Sequence, residues 1–198
     1  EPIISCGGQI ELPNNFLKKT HQIIKKNNGL LISDEIQTGF GRVGKKFWGF
    51  QLHDVIPDIV TLGKPMGNGH PIGAVVCTKA IADKFNNGME FFSSFGGNPV
   101  SCAIALSVLD EVKKNNLQKN AEIVGSYIKS QLKKLSKEFP IISDVRGKGL
   151  FLGFELTSNK LHPLPDQTSY LVNRMKELGI LISSDGIDNN VIKIKPPL

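Results

Sequence analysis

The sequence predicts an α/β fold, and three observations carry that prediction. Two short apolar runs, at 29–32 and 59–62, lack polar alternation and are bounded by turn residues. That is the pattern of strands buried on both faces of a parallel sheet. An amphipathic helical pattern precedes the first run, and a third apolar run at 73–77 follows the second. Beyond Asn120, strands and helices succeed one another without strict alternation, which predicts a separate α+β unit. The expected boundary lies near Asn115, dividing the chain into 1–115 and 116–198.

Taken in order, residues 13–28 read as a helix. Pro13 with Asn14 or Asn15 gives the start, Phe16, Leu17, Ile23 and Ile24 the apolar stripe, and Gly29 the stop. The strand at 29–32 runs into the acidic pair Asp34-Glu35, and the strand at 59–62 runs into Gly63-Lys64. Ligands of open α/β sheets sit just outside the carboxyl ends of the strands, so a carboxylate and an amine are delivered to the edge of one crevice. A lysine in such a water-poor place is a candidate imine-forming nucleophile, and a facing carboxylate can keep a pyridinium nitrogen protonated. On spacing alone, a Gly-Lys after a strand is more commonly a surface lysine. Gly67-Asn68-Gly69-His70-Pro71 predicts a tight turn beside Lys64.

Further on, Asn98 reads as the N-cap and Pro99 as the first residue of a helix reaching Lys114. Val100, Ala103, Ile104, Ala105 and Leu106 make its first half apolar nearly all round, which predicts burial. Ser93-Ser94-Phe95-Gly96-Gly97 ahead of it could bind a phosphate, but on local sequence alone a plain helix entry is the better reading. The second half opens on a helix with Ile123, Tyr127, Ile128, Leu132 and Leu135 on one face. Strands at 141–145 and 150–156 flank Arg146-Gly147-Lys148-Gly149. A helix from about Gln167 to Gly179 and strands at 180–182 and 191–194 complete the reading.

Composition narrows the classes. The chain has 198 residues, 40% of them hydrophobic, which is enough for a real core. No apolar run approaches the length of a membrane span. Cys6, Cys77 and Cys102 are widely spaced and read as reduced, partly buried thiols of a cytosolic protein. The net charge of +6 comes largely from the pairs Lys18-Lys19, Lys25-Lys26, Lys113-Lys114 and Lys133-Lys134. These fall on outer helix faces without interleaved aromatics, so a solvated surface is the better reading than a nucleic-acid interface. Gly39-Phe40-Gly41-Arg42-Val43-Gly44 fits G-x-G-x-x-G, but Lys45-Lys46-Phe47-Trp48 is a poor helix start and argues against a dinucleotide fingerprint. His21, His53, His70 and His162 show no metal-ligand spacing.

The text Leu31-Ile32-Ser33-Asp34-Glu35-Ile36-Gln37-Thr38-Gly39-Phe40-Gly41-Arg42 resembles the central signature of the class-III aminotransferases, which use pyridoxal phosphate. Pro57-Asp58-Ile59-Val60-Thr61-Leu62-Gly63-Lys64 resembles that family's cofactor-lysine strand, and matches run along nearly the whole chain. The resemblance implies a fold-type-I enzyme, here its C-terminal half, clipped at both ends and by itself inactive. It implies that Lys64 carries the cofactor and serves as the proton-moving base. Asp34 then pairs with the pyridine nitrogen, Ile36 packs on the ring face and Gln37 bonds the ring hydroxyl. Ser94 stands where the family's hydroxyl residue reaches the cofactor phosphate of the neighbouring subunit, which implies a homodimer with shared active sites. A small amine is the implied substrate, in the cytoplasm, with no nucleic acid or membrane involved.

Two departures stand out. Where many members have Glu-Pro-x-x-Gly-Glu-x-Gly, this chain has Glu1-Pro2-Ile3-Ile4-Ser5-Cys6-Gly7-Gly8, with Cys6 replacing a glutamate that gates an arginine. That arginine sits in Ile-Arg-x-x-Pro-Pro-Leu; here the text is Ile192-Lys193-Ile194-Lys195-Pro196-Pro197-Leu198. Lysine is a poorer planar clamp for a carboxylate. These departures, with the text Ser5-Cys6-Gly7-Gly8-Gln9, Gly63-Lys64-Pro65-Met66-Gly67-Asn68-Gly69-His70-Pro71 and Gly97-Asn98-Pro99-Val100-Ser101-Cys102, resemble the branch of phospho-lyases acting on ethanolamine phosphate or 5-phosphohydroxylysine. There a cation beside the leaving phosphate, Lys193 or Lys195, would assist. A transaminase acting on a primary amine and a 2-oxo acid is the alternative.

Overall fold

Asp58 sets where the first two strands begin. In the computed structural model, which describes residues 1–198, its carboxylate accepts the Leu31 N–H at 2.8 Å and pairs with Lys25 of the preceding helix. Those two contacts, led by Lys25, hold the Asp58 carboxyl below its usual range. The ladder therefore starts later than the apolar run suggested. Strand β3 is Ile32–Asp34, and β4 is Ile59–Leu62, parallel to it. Strand β5, Ala74–Cys77, adds antiparallel to β4 and closes a three-stranded sheet in the order β3-β4-β5. An antiparallel hairpin of β1 (Ile3–Ile4) and β2 (Ile10–Glu11) precedes it.

Helix α1, Phe16–Lys26, starts at Asn15 in the left-handed region, with no side-chain cap. It ends through Asn28 at φ 56, with the Gly29 N–H bonded to the Ile24 carbonyl. Asparagine thus takes the left-handed position expected of Gly29, since its short polar side chain tolerates it. Helix α2, Lys79–Phe85, follows β5. Helix α3, Pro99–Lys114, has the predicted entry: Asn98 Oδ1 accepts the Ser101 N–H at 2.9 Å and Pro99 opens the first turn. Its first half is not buried as expected. Val100 and Leu106 face outward, Leu106 being 62% exposed, because no element of the chain lies over that side. The same holds for Ile32, read from sequence as part of a strand buried on both faces, and Val75 and Val76 of the same sheet are exposed too.

A turn at Asn115-Asn116 leads into α4, Leu117–Glu138. Strands β6 (Ile142–Lys148), β7 (Phe151–Leu156), β8 (Ser183–Asp185) and β9 (Val191–Ile194) form an antiparallel sheet ordered β6-β7-β9-β8, with α5, Pro165–Glu177, between β7 and β8. Residues 180–182 lie before β8 and not in it. Gly179, at φ 81, ends α5, the Ile180 N–H still bonds back to Met175, and pairing begins only at Ser183. The main core lies here, with Val145, Phe154, Leu156 and Ile192 covered by Leu132 and by residues of α5. Helix α4 approaches through Ala121 and Gly125, leaving Ile123 and Tyr127 outward, against expectation. The cause is close approach: a Cβ on Gly125 would sit 2.0 Å from the Gly149 carbonyl oxygen, so the small residues define the inner face. Cys6 and Cys102 are exposed, the first on the β1–β2 turn and the second on the open side of α3; only Cys77 is half-buried. No helix is long and apolar enough to cross a membrane.

The hairpin connects the two sheets. Arg146 Nε donates to the Gly8 carbonyl at 2.8 Å, and its Nη1 bonds Asp144 and Glu155. Burial works against the Arg146 charge, but those carboxylates outweigh it and raise its pKa. Glu11 accepts from Lys129, from the Gly147 N–H and from Lys148. Burial pushes its carboxyl up, and the bonds from Lys148, Lys129 and Gly147 together hold it below its usual value.

Candidate functional site

Parallel register brings the chemistry-bearing strand ends together. Asp34 pairs with Thr61 across β3 and β4, and Lys64 follows Thr61 by three residues, so both emerge at the same carboxyl edge. Asp34 Oδ1 accepts the Ile36 N–H at 3.0 Å, while Oδ2 makes no hydrogen bond within the chain. Lys64 is exposed at φ 33 and opens a 3-10 turn, Lys64–Met66; its ammonium has no partner in the chain. Ile36 lies against Gly63, where an added Cβ would be 3.5 Å from its Cγ1. The neighbouring carboxylate has a different task. Glu35 points to the opposite face, is fully buried, and accepts from Thr38 Oγ1, the Gly49 N–H and the Phe50 N–H at 2.7–2.8 Å. It anchors the loop that Phe40, Phe47 and Trp48 fill with edge-to-face contacts. In that loop the G-x-G-x-x-G text is packing, with the Leu150 N–H bonded to the Arg42 carbonyl and Gly44 against α4.

The other wall comes from β9 and the turn after β1. Lys193 and Lys195 share one face of the chain by the period-2 rule. Lys193 Nζ donates to Asp185 Oδ1 at 2.9 Å. Asp185 Oδ2 accepts from Gln9 Nε2 at 2.7 Å, whose other bond goes to the Ser5 carbonyl. Gln9 is fully buried and its Oε1 has no partner. Lys195 donates to Gln37 Oε1 at 2.9 Å and lies 4.1 Å from the centre of the Phe151 ring. Its ammonium is pushed down to about 8, mainly by burial, then by the charge of Lys193 and less by Lys64; the pull of Asp185 and Cys6 offsets this only in part. Gln37 Nε2 donates to Ser5 Oγ at 2.7 Å, and Ser5 in turn bonds the Glu1 carboxylate. Arg42 reaches the Pro196 carbonyl and, desolvated there, has a lowered pKa.

The strand register thus brings Asp34 and Lys64 to one edge with Ile36 beside Gly63, and Gln37, next along the chain, is bonded to Lys195. The structure separates Lys193, whose charge is committed to Asp185, and Ser94, which is exposed and forms no side-chain hydrogen bond. Three residues escaped sequence reasoning. Gln9 and Asp185 act across 176 residues, and only the strand register would have revealed them: Ser183 faces Lys193 and Asp185 faces Val191, so Asp185 and Lys193 are diagonal neighbours. His70 Nε2 lies 2.7 Å from Ser101 Oγ and ties the turn after Lys64 to the first turn of α3.

A parallel strand pair presenting a carboxylate and a free amine beside an apolar side chain suits a pyridinium cofactor. The family model "Aminotransferase class-III" matches residues 1–198, and the chain belongs to that family. It is 47% identical over 202 residues to "Alanine--glyoxylate aminotransferase 2-like" of Drosophila melanogaster, covering all of this chain and 41% of that protein. It is 42% identical over 201 residues to the human mitochondrial alanine–glyoxylate aminotransferase 2, covering all of this chain and 39% of that protein. Among solved structures it matches a phospholyase from Arthrobacter in complex with phosphoethanolamine at TM-score 0.96 and 41% identity, over 100% of this chain and 47% of the other. It matches ornithine aminotransferase from Plasmodium yoelii at TM-score 0.87 and 34% identity, over 99% and 50%. The chain therefore spans about two fifths of the length of the curated relatives it matches. The cytoplasmic expectation is overturned: the human and Arabidopsis thaliana relatives are named mitochondrial, and widely spaced cysteines do not distinguish the cytosol from another reducing compartment.

The residues fit the family cofactor. The open Oδ2 of Asp34 can accept from a protonated ring nitrogen, Ile36 offers an apolar surface beside Gly63, and Lys64 is unengaged. Gln37 fits less simply, since its carbonyl oxygen already accepts from Lys195 and its amide donates to Ser5.

Proposed function

We propose that the full-length protein is a pyridoxal-phosphate-dependent phospho-lyase that eliminates phosphate from a phosphorylated primary amine of the ethanolamine phosphate type, water then releasing the carbon product as an aldehyde and the nitrogen as ammonia. The observation that carries this is the fate of Lys193. It stands where a substrate-clamping arginine would be expected, yet it is ion-paired to Asp185, while Cys6 replaces the gating glutamate. A chain without that switch has lost the means of alternating between a substrate side chain and an α-carboxylate. The likeness to the Arthrobacter phospholyase supports the same reading. When bound, the cofactor supplies an electron sink for the substrate carbon that loses a proton.

In this reading Lys64 would hold the cofactor and, with its amine free, would take the proton from the substrate carbon that bears the nitrogen, phosphate leaving from the carbon next to it. Asp34 keeps the ring nitrogen charged, Ile36 holds the ring plane, and Gln37 steadies the ring edge while linked to Lys195. A cation at the β9 end stabilises the departing phosphate. Ser94 contributes from the partner of a homodimer, and the division at 115/116 separates the cofactor-bearing unit from the second sheet.

The test is full-length protein with ethanolamine phosphate and no 2-oxo acid, with inorganic phosphate and ammonia as readouts. Sustained release of both is expected. A second reading, a transaminase, is favoured by the relatives named as aminotransferases. It wins if neither ethanolamine phosphate nor phosphohydroxylysine releases phosphate while another amine transfers its nitrogen to pyruvate, glyoxylate or 2-oxoglutarate.

A further inference from the structure

We propose that Lys195 alone holds the anionic group of the substrate, and that Asp185, braced by Gln9, keeps Lys193 out of that role. The inference rests on the phospho-lyase reading and assigns its specificity to one side chain.

The two lysines lie two residues apart, Lys193 in β9 and Lys195 just past its end, and sequence offers no reason to rank them. Their surroundings do. Lys193 is ion-paired to Asp185 at 2.9 Å, and the second Asp185 oxygen is held by Gln9 at 2.7 Å. Gln9 is fully buried and leaves its own Oε1 without a partner, which is unfavourable for a buried acceptor. The fold tolerates that loss while both amide bonds of Gln9 go to Ser5 and Asp185. The Asp185–Lys193 pair is therefore fixed.

Lys195 is the opposite case. It is half-buried, no carboxylate lies within ion-pairing distance, and its ammonium makes one hydrogen bond, to the neutral Gln37. An ammonium has three N–H groups, so two remain for a ligand. The Phe151 ring at 4.1 Å stabilises a cation without neutralising it. Its bond to Gln37 at 2.9 Å, three residues on from Asp34, sets Lys195 beside the strand edge that Asp34 and Lys64 share. A desolvated cation lacking a counter-ion is completed by an anionic ligand. A single ammonium suits a phosphomonoester, whose oxygens accept from any direction, better than a carboxylate that asks for a planar fork.

The test is calorimetric binding of ethyl phosphate, a phosphomonoester without an amine, to the full-length cofactor-loaded protein, with propionate as the carboxylate probe. Ethyl phosphate cannot react, so the readout is independent of turnover. Lys195→Ala should weaken it by about tenfold or more, the scale of one charge-assisted hydrogen bond, and Lys195→Arg should restore most of the affinity. The double variant Lys193→Met/Asp185→Asn, which removes both charges of the pair, should stay within about threefold of the parent protein. Three results overturn the proposal: Lys195→Ala binds ethyl phosphate like the parent, the double variant loses as much as Lys195→Ala, or Lys195→Ala loses propionate and retains ethyl phosphate. Phosphate release from ethanolamine phosphate tests the lyase reading separately, so failure of either is told apart from failure of the other.

Discussion

Two adjacent carboxylates, Asp34 and Glu35, show how one residue of chain position separates chemistry from architecture. Strand alternation turns Asp34 to the crevice with one oxygen free and buries Glu35 against three donors. The pair was legible as a strand end in sequence, and so was Lys64, because an apolar run stopping at a polar residue marks where a sheet meets its ligand. The roles of Gln9 and Asp185 were not legible, since a bond between residues 9 and 185 exists only once β8 and β9 are in register. The assignment of Lys64 has a direct chemical test. Borohydride reduction of the full-length holoenzyme is expected to fix pyridoxal phosphate on the peptide containing Lys64; a label on Lys45, Lys46 or Lys195 would refute the assignment.

Among elements, α4 departs furthest from its sequence pattern. Its large apolar residues define one face by periodicity, but the face that packs is chosen by Ala121 and Gly125. A hydrophobic stripe reports which residues prefer burial; it does not report how near a neighbouring backbone comes. Gly149 approaches α4 on one side and the backbone of Arg42–Val43 on the other, and that closeness admits no Cβ at Gly125. Gly125→Ala illustrates two opposed effects. Alanine favours the helix by about 1 kcal/mol, while forcing the helix off Gly149 costs about 1–3 kcal/mol. The clash should win, because the atom met is backbone. A lower thermal midpoint is expected for Gly125→Ala in full-length protein, against no loss for the exposed Ser130→Ala; an unchanged or raised midpoint for Gly125→Ala would contradict this packing.

At the scale of the whole molecule, what the sequence could not convey was which apolar surface stays open. Phe85, Met89, Phe91, Phe92, Phe95, Val100 and Leu106 are all exposed, Phe95 at 84%. Large apolar side chains left bare in such number mark a surface that another surface covers. Ser94 sits in its middle, which is where a residue serving a second copy's site would have to be. The expected outcome is a full-length dimer by light scattering at assay concentration, and an active monomer would disprove it.

The β1–β2 hairpin carries one more consequence. Ser5 meets Gln37 beside the first sheet, while Cys6, Gly8, Gln9 and Glu11 grip the second through carbonyls, carboxylates and amides. Greasy surfaces can slide past one another with little loss, whereas a hydrogen bond weakens steeply once its angle opens. Registration between the two walls of the crevice is thus keyed like a tongue in a slot. If Lys64 and Lys195 have the roles proposed above, the span between their ammonium groups becomes a ruler, held by the hairpin's polar stitching, for the distance between a substrate's amine and its anion.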